Sequence, residues 1–305
     1  MNEIVISNFK WDVFLRKFFE YLDVESNETV KTYYNGIKNF ISYIGTNEHP
    51  KRNDIIAWKL YVKEKTSAST ANTWLVGVKR FFKFLSLYRL YPNITEDIKG
   101  FKISQTPKKN VLTEEQIKSI YANLLQDKSN LGIRNKTLFS LLITTGLRGI
   151  EVANARIEDI KQINGEYCLF IKGKGHVEYD TYVKIPENVL NNILEYIGDR
   201  KSGYIFISNS NHNKGGKITT KTIRLVIKEI FVKNGLNDDT LSLHSTRRTF
   251  SCIAYNNGAD IYEIQQVLRH ASVVTTQRYL READRYKNKT EQNVENILLK
   301  KEDYK

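Results

Sequence analysis

The feature that most constrains the fold is a helical spacing of apolar side chains that stops at residues 102–110 and then resumes. Before this break, apolar residues recur at intervals of three and four, which indicates amphipathic helices. The three clearest stripes run over Trp11–Leu22, Val30–Ile44 and Trp74–Tyr88. A shorter helix is predicted around Asp54–Lys65. The break itself, KISQTPKKN, is polar and contains Pro107, as expected of an interdomain linker.

The chain after the break predicts a second, mixed domain. A capping box, Thr113-Glu-Glu-Gln116, opens a new helix. Most of the remaining chain has helical spacing, but Tyr167–Ile171 and Thr181–Ile185 are β-prone runs on either side of a Lys- and Gly-containing turn. We therefore expect a mainly α fold with a small antiparallel β-sheet. A helical domain spans residues 1–105, and an α+β domain spans 106–305, with a C-terminal tail at about 282–305.

Composition excludes several classes of protein. Apolar residues make up 41% of the 305, which is enough to build cores and argues against global disorder. The chain has no apolar run of about 18 residues and no apolar signal core near its start, so we expect a cytoplasmic protein without a membrane span. Cys168 and Cys252 are too few and too far apart for a disulfide framework or a zinc site, and we interpret both as reduced and structural.

The formal net charge of +13 is spread over both predicted domains. Residues 1–106 carry 16 Lys and Arg against 11 Asp and Glu, and the remainder carries 31 against 23. A polyanion held by both domains is one explanation, and a lysine-rich soluble surface is the other. The polar helix faces of the first domain carry five candidate phosphate contacts, each an ordinary solvated charge when taken alone: Lys31, Lys38, Lys79, Arg80 and Lys83.

Two stretches of the second domain place cations beside glycines. TTGLRGIEVANAR carries Arg148 and Glu151 after an apolar helix, an arrangement that also fits a structural ion pair. IKGKGHVEYD carries Lys172 and Lys174 in the predicted turn, where a glycine-flanked lysine is free to reach a ligand. Taken alone, the second stretch is more often explained by an exposed turn lysine without a function.

Two later stretches carry histidines. In LSLHSTRRTF, His244 and Arg247 lie on one side of a helix start, where backbone N–H groups already favour an anion. A helix cap is the alternative. In VLRHASVVTTQRYL, His270 precedes a new helix and Tyr279 comes nine residues later. A buried structural pair is the alternative explanation for that spacing.

Taken in order, these residues resemble the tyrosine recombinase (phage integrase) family. The matching signatures are TGLR with Glu151, the glycine-flanked Lys174, His244-Ser-Thr-Arg247 and LRHASVVTTQRY. The first domain is similar to the family's helical core-binding domain around ETVKTYYNGIKNFISYI and SASTANTWLVGVKRFFKFL, and the two-domain length is most similar to the Xer-type branch. The chain departs from the family pattern at Arg269, where Gly is frequent, and at Arg248, where His is frequent. The longer hairpin leaves Lys172 as the alternative to Lys174.

The resemblance implies metal-independent cleavage and rejoining of duplex DNA through a 3′-phosphotyrosine. Tyr279 is then the nucleophile, and the phosphate is stabilised by Arg148, Arg247 and His270. His244 assists proton transfer at the nucleophile or orients the phosphate. Lys174 is the general acid for the 5′-oxygen, and Glu151 supports the arginine or histidine. We expect no metal and no cofactor, since clustered metal ligands and a nucleotide-binding loop are both absent from the sequence.

The partners implied are a double-stranded DNA target and three further copies of the chain, in a tetramer that joins two sites. The tail at about 282–305 is expected to dock on a neighbouring protomer, with packing inside its own chain as the alternative. Two other functions stay open. One is DNA relaxation of the type IB topoisomerase kind, and the other is non-catalytic DNA binding by a protein with this fold.

Overall fold

A computed structural model of the chain describes residues 11–22, 27–103, 110–172, 179–287, 291–292 and 294–295. The chain divides into two compact units, Met1–Gln105 and Thr106–Lys305. Within the described ranges, none of the helices combines the length and the apolar character that a membrane span requires.

The first unit is a bundle of helices. They are Trp11–Tyr21 (α1), Asn27–Ile44 (α2), Arg52–Lys65 (α3) and Ala68–Leu87 (α4). Its core is aromatic, and Trp58 meets Phe40 edge-to-face with ring centroids 5.5 Å apart. Helices α2 and α4 approach closely at two glycines: a Cβ on Gly36 would lie 2.8 Å from the Cα of Trp74, and α4 carries the reciprocal Gly77. Larger residues at these two positions would push the helices apart.

The second unit combines eight helices with one sheet in the described residues. The helices are Glu114–Leu124 (α5), Asn130–Thr145 (α6), Gly149–Asn154 (α7), Glu187–Ile197 (α8), Thr220–Lys233 (α9), Leu243–Asn256 (α10), Ile261–Leu268 (α11) and Val273–Lys287 (α12), and a 3₁₀ turn covers Ile157–Asp159. The capping box predicted for α5 is present: Gln116 N–H donates to Thr113 Oγ1 at 3.2 Å, and Thr113 N–H donates to Gln116 Oε1 at 2.9 Å.

The sheet has three antiparallel strands in the order β1-β2-β3: Ile160–Ile163 (β1), Glu166–Lys172 (β2) and Tyr179–Lys184 (β3). Leu169 of the central strand pairs with Ile160 on one side and with Val183 on the other. The two predicted strands correspond to β2 and β3, so the mainly α fold class with a small antiparallel sheet is confirmed. Strand β1 was not predicted; it joins β2 through a turn at Asn164 and Gly165, both with positive φ.

Helix α6 lies at the centre of the second unit's core. Its six consecutive residues 137–142 are all buried, and because they complete more than one turn, the middle of α6 is covered on every side. The helix ends at Gly146, which adopts a left-handed conformation with φ +60°. This tight ending turns the chain directly into Arg148 and α7.

Candidate active site

Arg148 stands at the start of α7, held by a carboxylate three residues later. Glu151 Oε2 accepts from the backbone N–H of Arg148 at 2.6 Å, and Glu151 Oε1 accepts from Arg148 Nη1 at 2.9 Å. The side chain of Arg148 remains 41% exposed, whereas that of Glu151 is 10% exposed. Glu151 therefore holds the Arg148 guanidinium in place, while part of the side chain remains accessible to a ligand.

Arg247 is the second guanidinium of the site, and it is fully buried on α10. Its Nη1 donates to the carbonyl of Gly146 at 2.5 Å, and its Nη2 donates to the carbonyl of Leu268. These two bonds join the ends of α6 and α11 to α10. Burial, and after it the charge of Arg148, lowers the pKa of Arg247 to about 10, so Arg247 stays protonated at neutral pH.

His270 lies buried in the turn before α12. Its Nδ1 is 2.9 Å from Thr276 Oγ1, and its carbonyl accepts from Gln265 Nε2 at 3.0 Å. Burial, followed by the charges of Arg247 and Arg148, lowers the pKa of His270 to about 4. The imidazole is therefore neutral at physiological pH and carries one N–H to donate.

Tyr279 on α12 meets two histidines. Its hydroxyl is 2.6 Å from His244 Nε2, and its ring stands edge-to-face with His244 and His270, with centroids 5.5 Å and 5.3 Å away. Burial raises the pKa of Tyr279, although the charge of Arg247 and a hydrogen bond to it act in the opposite direction. A tyrosine that is protonated at neutral pH needs a proton acceptor before it can attack, and His244 stands at hydrogen-bonding distance.

Two further side chains join the site without having been assigned to it from the sequence. One is Thr276, through its contact with His270. The other is Arg269, which donates from Nη2 to Glu151 Oε2 at 2.7 Å and from Nη1 to the Val267 carbonyl at 2.6 Å. Burial acts to raise the pKa of Glu151, but the Arg269 charge and the hydrogen bonds from both arginines outweigh it and hold that pKa below its usual value. Glu151 therefore stays ionised.

The structure brings together six of the residues singled out in the sequence: Arg148, Glu151, His244, Arg247, His270 and Tyr279. Three of them, Arg148, His244 and Arg247, line a surface cleft of about 540 Å³ together with a further cation, Arg224. No group of three or more metal-ligating side chains occurs within the described ranges. Among the described residues, the Lys and Arg side chains that line this cleft are all arginines.

The candidate lysines are not located by the structure. Lys174 lies outside the described residues. Lys172 ends β2, where its backbone pairs with Tyr179 beside an irregularity in the strand register, and its side chain also lies outside what is described. The choice between the two lysines stays a prediction.

The five candidate phosphate contacts of the first unit differ in their surroundings. Lys31 and Lys83 are exposed. Lys38 Nζ lies 5.7 Å from the ring centroid of Tyr34, and the Arg80 guanidinium lies 5.5 Å from that of Tyr33. Lys79 donates to the carbonyl of Ile98 at 2.8 Å, so its ammonium group is already engaged by its own chain.

Comparison with protein families matches both parts of the chain. Residues 110–285 match the phage integrase family, and residues 15–87 match the phage integrase N-terminal SAM-like domain. The chain is 31% identical to the tyrosine recombinase XerA of Pyrococcus furiosus, with 88% of each chain covered. It is 28% identical to the tyrosine recombinase XerC of Herpetosiphon aurantiacus, with 87% of this chain and 89% of the relative covered.

Solved structures show the same fold. The XerH site-specific recombinase in a post-cleavage complex with palindromic difH substrate has a TM-score of 0.68 at 18% identity, covering 90% of this chain and 84% of that one. A lambda integrase dimer bound to a COC′ core site has a TM-score of 0.69 at 15% identity, covering 88% and 76%. The family match over residues 110–285 and the identity to XerA over most of both sequences agree with this fold. The chain therefore belongs to the phage integrase family of tyrosine recombinases.

Proposed function

We propose that this chain is a site-specific DNA recombinase that cuts and rejoins duplex DNA through a covalent link to Tyr279. The observation that carries the proposal is the Tyr279 hydroxyl, 2.6 Å from His244 Nε2 and beside the buried guanidinium of Arg247. A phenol is a poor nucleophile at neutral pH, and this one is placed against a proton acceptor within a cationic site. Of the 18 tyrosines in the chain, Tyr279 is therefore the one assigned to the chemistry.

The guanidiniums and His270 stabilise the phosphate as charge develops on it. Arg148 is accessible in the cleft, and Arg247 lines the same cleft. A guanidinium holds two phosphate oxygens at once and does not lose its proton at neutral pH. The imidazole of His270 is neutral and carries one N–H, which donates a hydrogen bond to a non-bridging oxygen. It holds no second proton that would have to leave during the reaction.

The proposed step exchanges one phosphoester bond for another. The Tyr279 oxygen bonds to phosphorus as its proton passes to His244, and the bond from phosphorus to the 5′-oxygen breaks. The 5′-oxygen takes a proton from Lys174, or from Lys172 if that lysine reaches the site. The reverse reaction with a second 5′-hydroxyl rejoins DNA and releases Tyr279. Because the phosphotyrosine keeps the bond energy, rejoining needs no nucleotide cofactor.

The second unit supplies the chemistry in this proposal, and the first unit supplies further contacts to the duplex. The residues proposed to neutralise phosphates are Lys31, Lys38, Lys79, Arg80 and Lys83, and Lys79 must release the Ile98 carbonyl to do so. Solved structures with the same fold include recombinases in complex with their DNA substrates, which supports a duplex DNA partner. We propose that the protein acts in the cytoplasm.

Strand exchange between two sites needs several protomers. We infer a tetramer on two DNA sites, with the tail at about 282–305 docking on a neighbour. Helix α12 runs to Lys287, eight residues beyond Tyr279, so the nucleophile and the start of the tail share one helix. A protomer that binds its neighbour's tail thereby influences the position of the neighbour's nucleophile.

The function is tested in two stages. Genomic DNA fragments are incubated with the protein, and fragments that become covalently attached are recovered and sequenced to give the target. A plasmid carrying two copies of that target is then treated with the protein. Recombined circles are expected. Relaxed plasmid without recombinant product would instead assign the type IB topoisomerase activity, and binding without any covalent product would assign a non-catalytic role.

The lysine is identified with a substrate whose 5′-bridging oxygen is replaced by sulfur. A thiolate leaves without a proton, so loss of the general acid no longer slows cleavage. Lys174→Ala should cleave the oxygen substrate slowly and the sulfur substrate at the wild-type rate, while Lys172→Ala should cleave both at the wild-type rate. The opposite pattern would transfer the role to Lys172.

A further inference from the structure

Arg269 occupies a position whose backbone disfavours most side chains. It closes α11 in the left-handed conformation, with φ 54° and ψ 47°. Glycine adopts this conformation without strain, and asparagine tolerates it better than other residues do. An arginine here requires surrounding contacts that hold it in place. Its contacts lead into the active site rather than out to solvent, since its side chain is only 12% exposed.

Those contacts converge on the carboxylate that also holds Arg148. Glu151 Oε2 accepts from Arg269 Nη2 at 2.7 Å, while Oε1 accepts from Arg148 Nη1 at 2.9 Å. The carbonyl of Arg269 accepts from Arg148 Nη2 at 3.3 Å. Glu151 thus lies between two guanidiniums, and Arg148 is held by both the carboxylate and the Arg269 backbone.

The two arginines differ in access to a ligand. The side chain of Arg148 is 41% exposed and lines the cleft, whereas that of Arg269 is nearly enclosed. A phosphate in the cleft can therefore contact the guanidinium of Arg148 but not that of Arg269. When Arg148 binds that phosphate, its positive charge no longer fully neutralises the buried carboxylate of Glu151. A buried carboxylate without a cation nearby is unfavourable and repels the incoming phosphate.

We propose that Arg269 is a positioning residue that neutralises Glu151 and so leaves the Arg148 guanidinium available to the DNA phosphate. The inference rests on the proposed function, which supplies the phosphate. Arg269 stays on Glu151 while Arg148 exchanges the carboxylate for the substrate. The site then has two guanidiniums for the substrate, Arg148 and Arg247, and a third for its own carboxylate.

The test is a double-mutant cycle on Arg269 and Glu151. Arg269→Asn removes the guanidinium at a position where asparagine is tolerated, Glu151→Gln removes the charge that the guanidinium neutralises, and a third protein carries both changes. Arg269→Lys keeps a cation. Each is assayed for the single-turnover rate of covalent adduct formation on a nicked duplex carrying the recovered target, and for its affinity for that duplex. Urea midpoints show that each variant is folded.

Arg269→Asn should slow adduct formation by about tenfold or more in the wild-type background and by less than about twofold in the Glu151→Gln background. Arg269→Lys should retain most of the rate. An equal loss in both backgrounds would mean that Arg269 acts only through its backbone or its packing, and would overturn the inference while leaving the proposed function standing. A wild-type protein that forms no adduct with any duplex would remove the proposed function, and the inference with it.

Discussion

Gly146→Ala tests whether the end of α6 holds the buried guanidinium of the active site. An alanine Cβ at this position would lie 2.7 Å from Leu268 Cδ2 and 2.9 Å from Phe250 Cδ1, closer than real Cβ contacts. Leu268 is fully buried, so its methyl group has little room to move aside. The same change forces a non-glycine residue to φ +60°.

The expected cost has two parts. The left-handed backbone costs an alanine about 1–2 kcal/mol. The added methyl group in a filled core costs about 1–3 kcal/mol more. Gly146→Ala should therefore lower the free energy of unfolding by about 2–5 kcal/mol, the sum of these two estimates. Gly235→Ala is the matched control, because Gly235 has φ +75° and no atom within 4 Å of the added Cβ. That variant should lose only the backbone part.

The assay is urea unfolding followed by far-ultraviolet circular dichroism, together with the rate of adduct formation. Arg247 donates to the carbonyls of Gly146 and Leu268, and the alanine disturbs both residues. A displaced guanidinium should slow adduct formation by about 10- to 100-fold in Gly146→Ala, with little change in Gly235→Ala. Equal losses of stability in the two variants, or full activity in Gly146→Ala, would refute this reasoning.

Three further predictions concern the pH dependence of stability, the hydrogen-bond partner of His270 and the metal requirement. Because the pKa of His270 is lowered to about 4, the protein should lose stability as pH falls from about 6.5 towards 4, by up to about 3 kcal/mol, and the urea midpoint of His270→Asn should depend less on pH over that range. Thr276→Val leaves His270 Nδ1 buried without its partner, which should cost about 1–3 kcal/mol of unfolding free energy and slow adduct formation; Thr275→Val, at an exposed neighbouring position, should do neither. Because guanidiniums supply the positive charge, adducts should form equally well in excess EDTA and in Mg²⁺, and a rate that requires Mg²⁺ would contradict the mechanism.

Local patterns in the sequence were sufficient to predict much of the fold. Helical spacing and the capping box at Thr113 are governed by interactions over three or four residues, and the structure has α5 where the box predicts it. Strand β1 was missed although its signal was present, since Asn164-Gly165 is a strong hairpin turn sequence between two short runs. Helical spacing from Val30 places Tyr34 on the apolar stripe of α2, but Tyr34 is exposed and Tyr33 is buried instead, because packing against α4 decides which face is covered.

The site depended on contacts that spacing does not encode. In the sequence, Arg269 stands out only as a departure from a glycine, and its partner Glu151 lies 118 residues earlier in the chain. The contact between Tyr279 and His244 spans 35 residues. The resemblance to the recombinase family supplied the candidate residues, and the fold supplied their mutual distances. Neither the side chain of Lys172 nor any part of Lys174 is among the described residues, so the general acid stays a prediction.

The most direct test of the central claim is to map the residue that becomes joined to DNA. The wild-type protein, Tyr279→Phe and the control Tyr262→Phe, which alters an exposed tyrosine on α11, are each trapped on a nicked target duplex and digested with trypsin and nuclease. Mass spectrometry should find a nucleotide on the peptide containing Tyr279 in the wild-type protein and in Tyr262→Phe, and no such adduct in Tyr279→Phe. An adduct on another residue, or one that persists in Tyr279→Phe, would contradict the assignment of Tyr279 as the nucleophile.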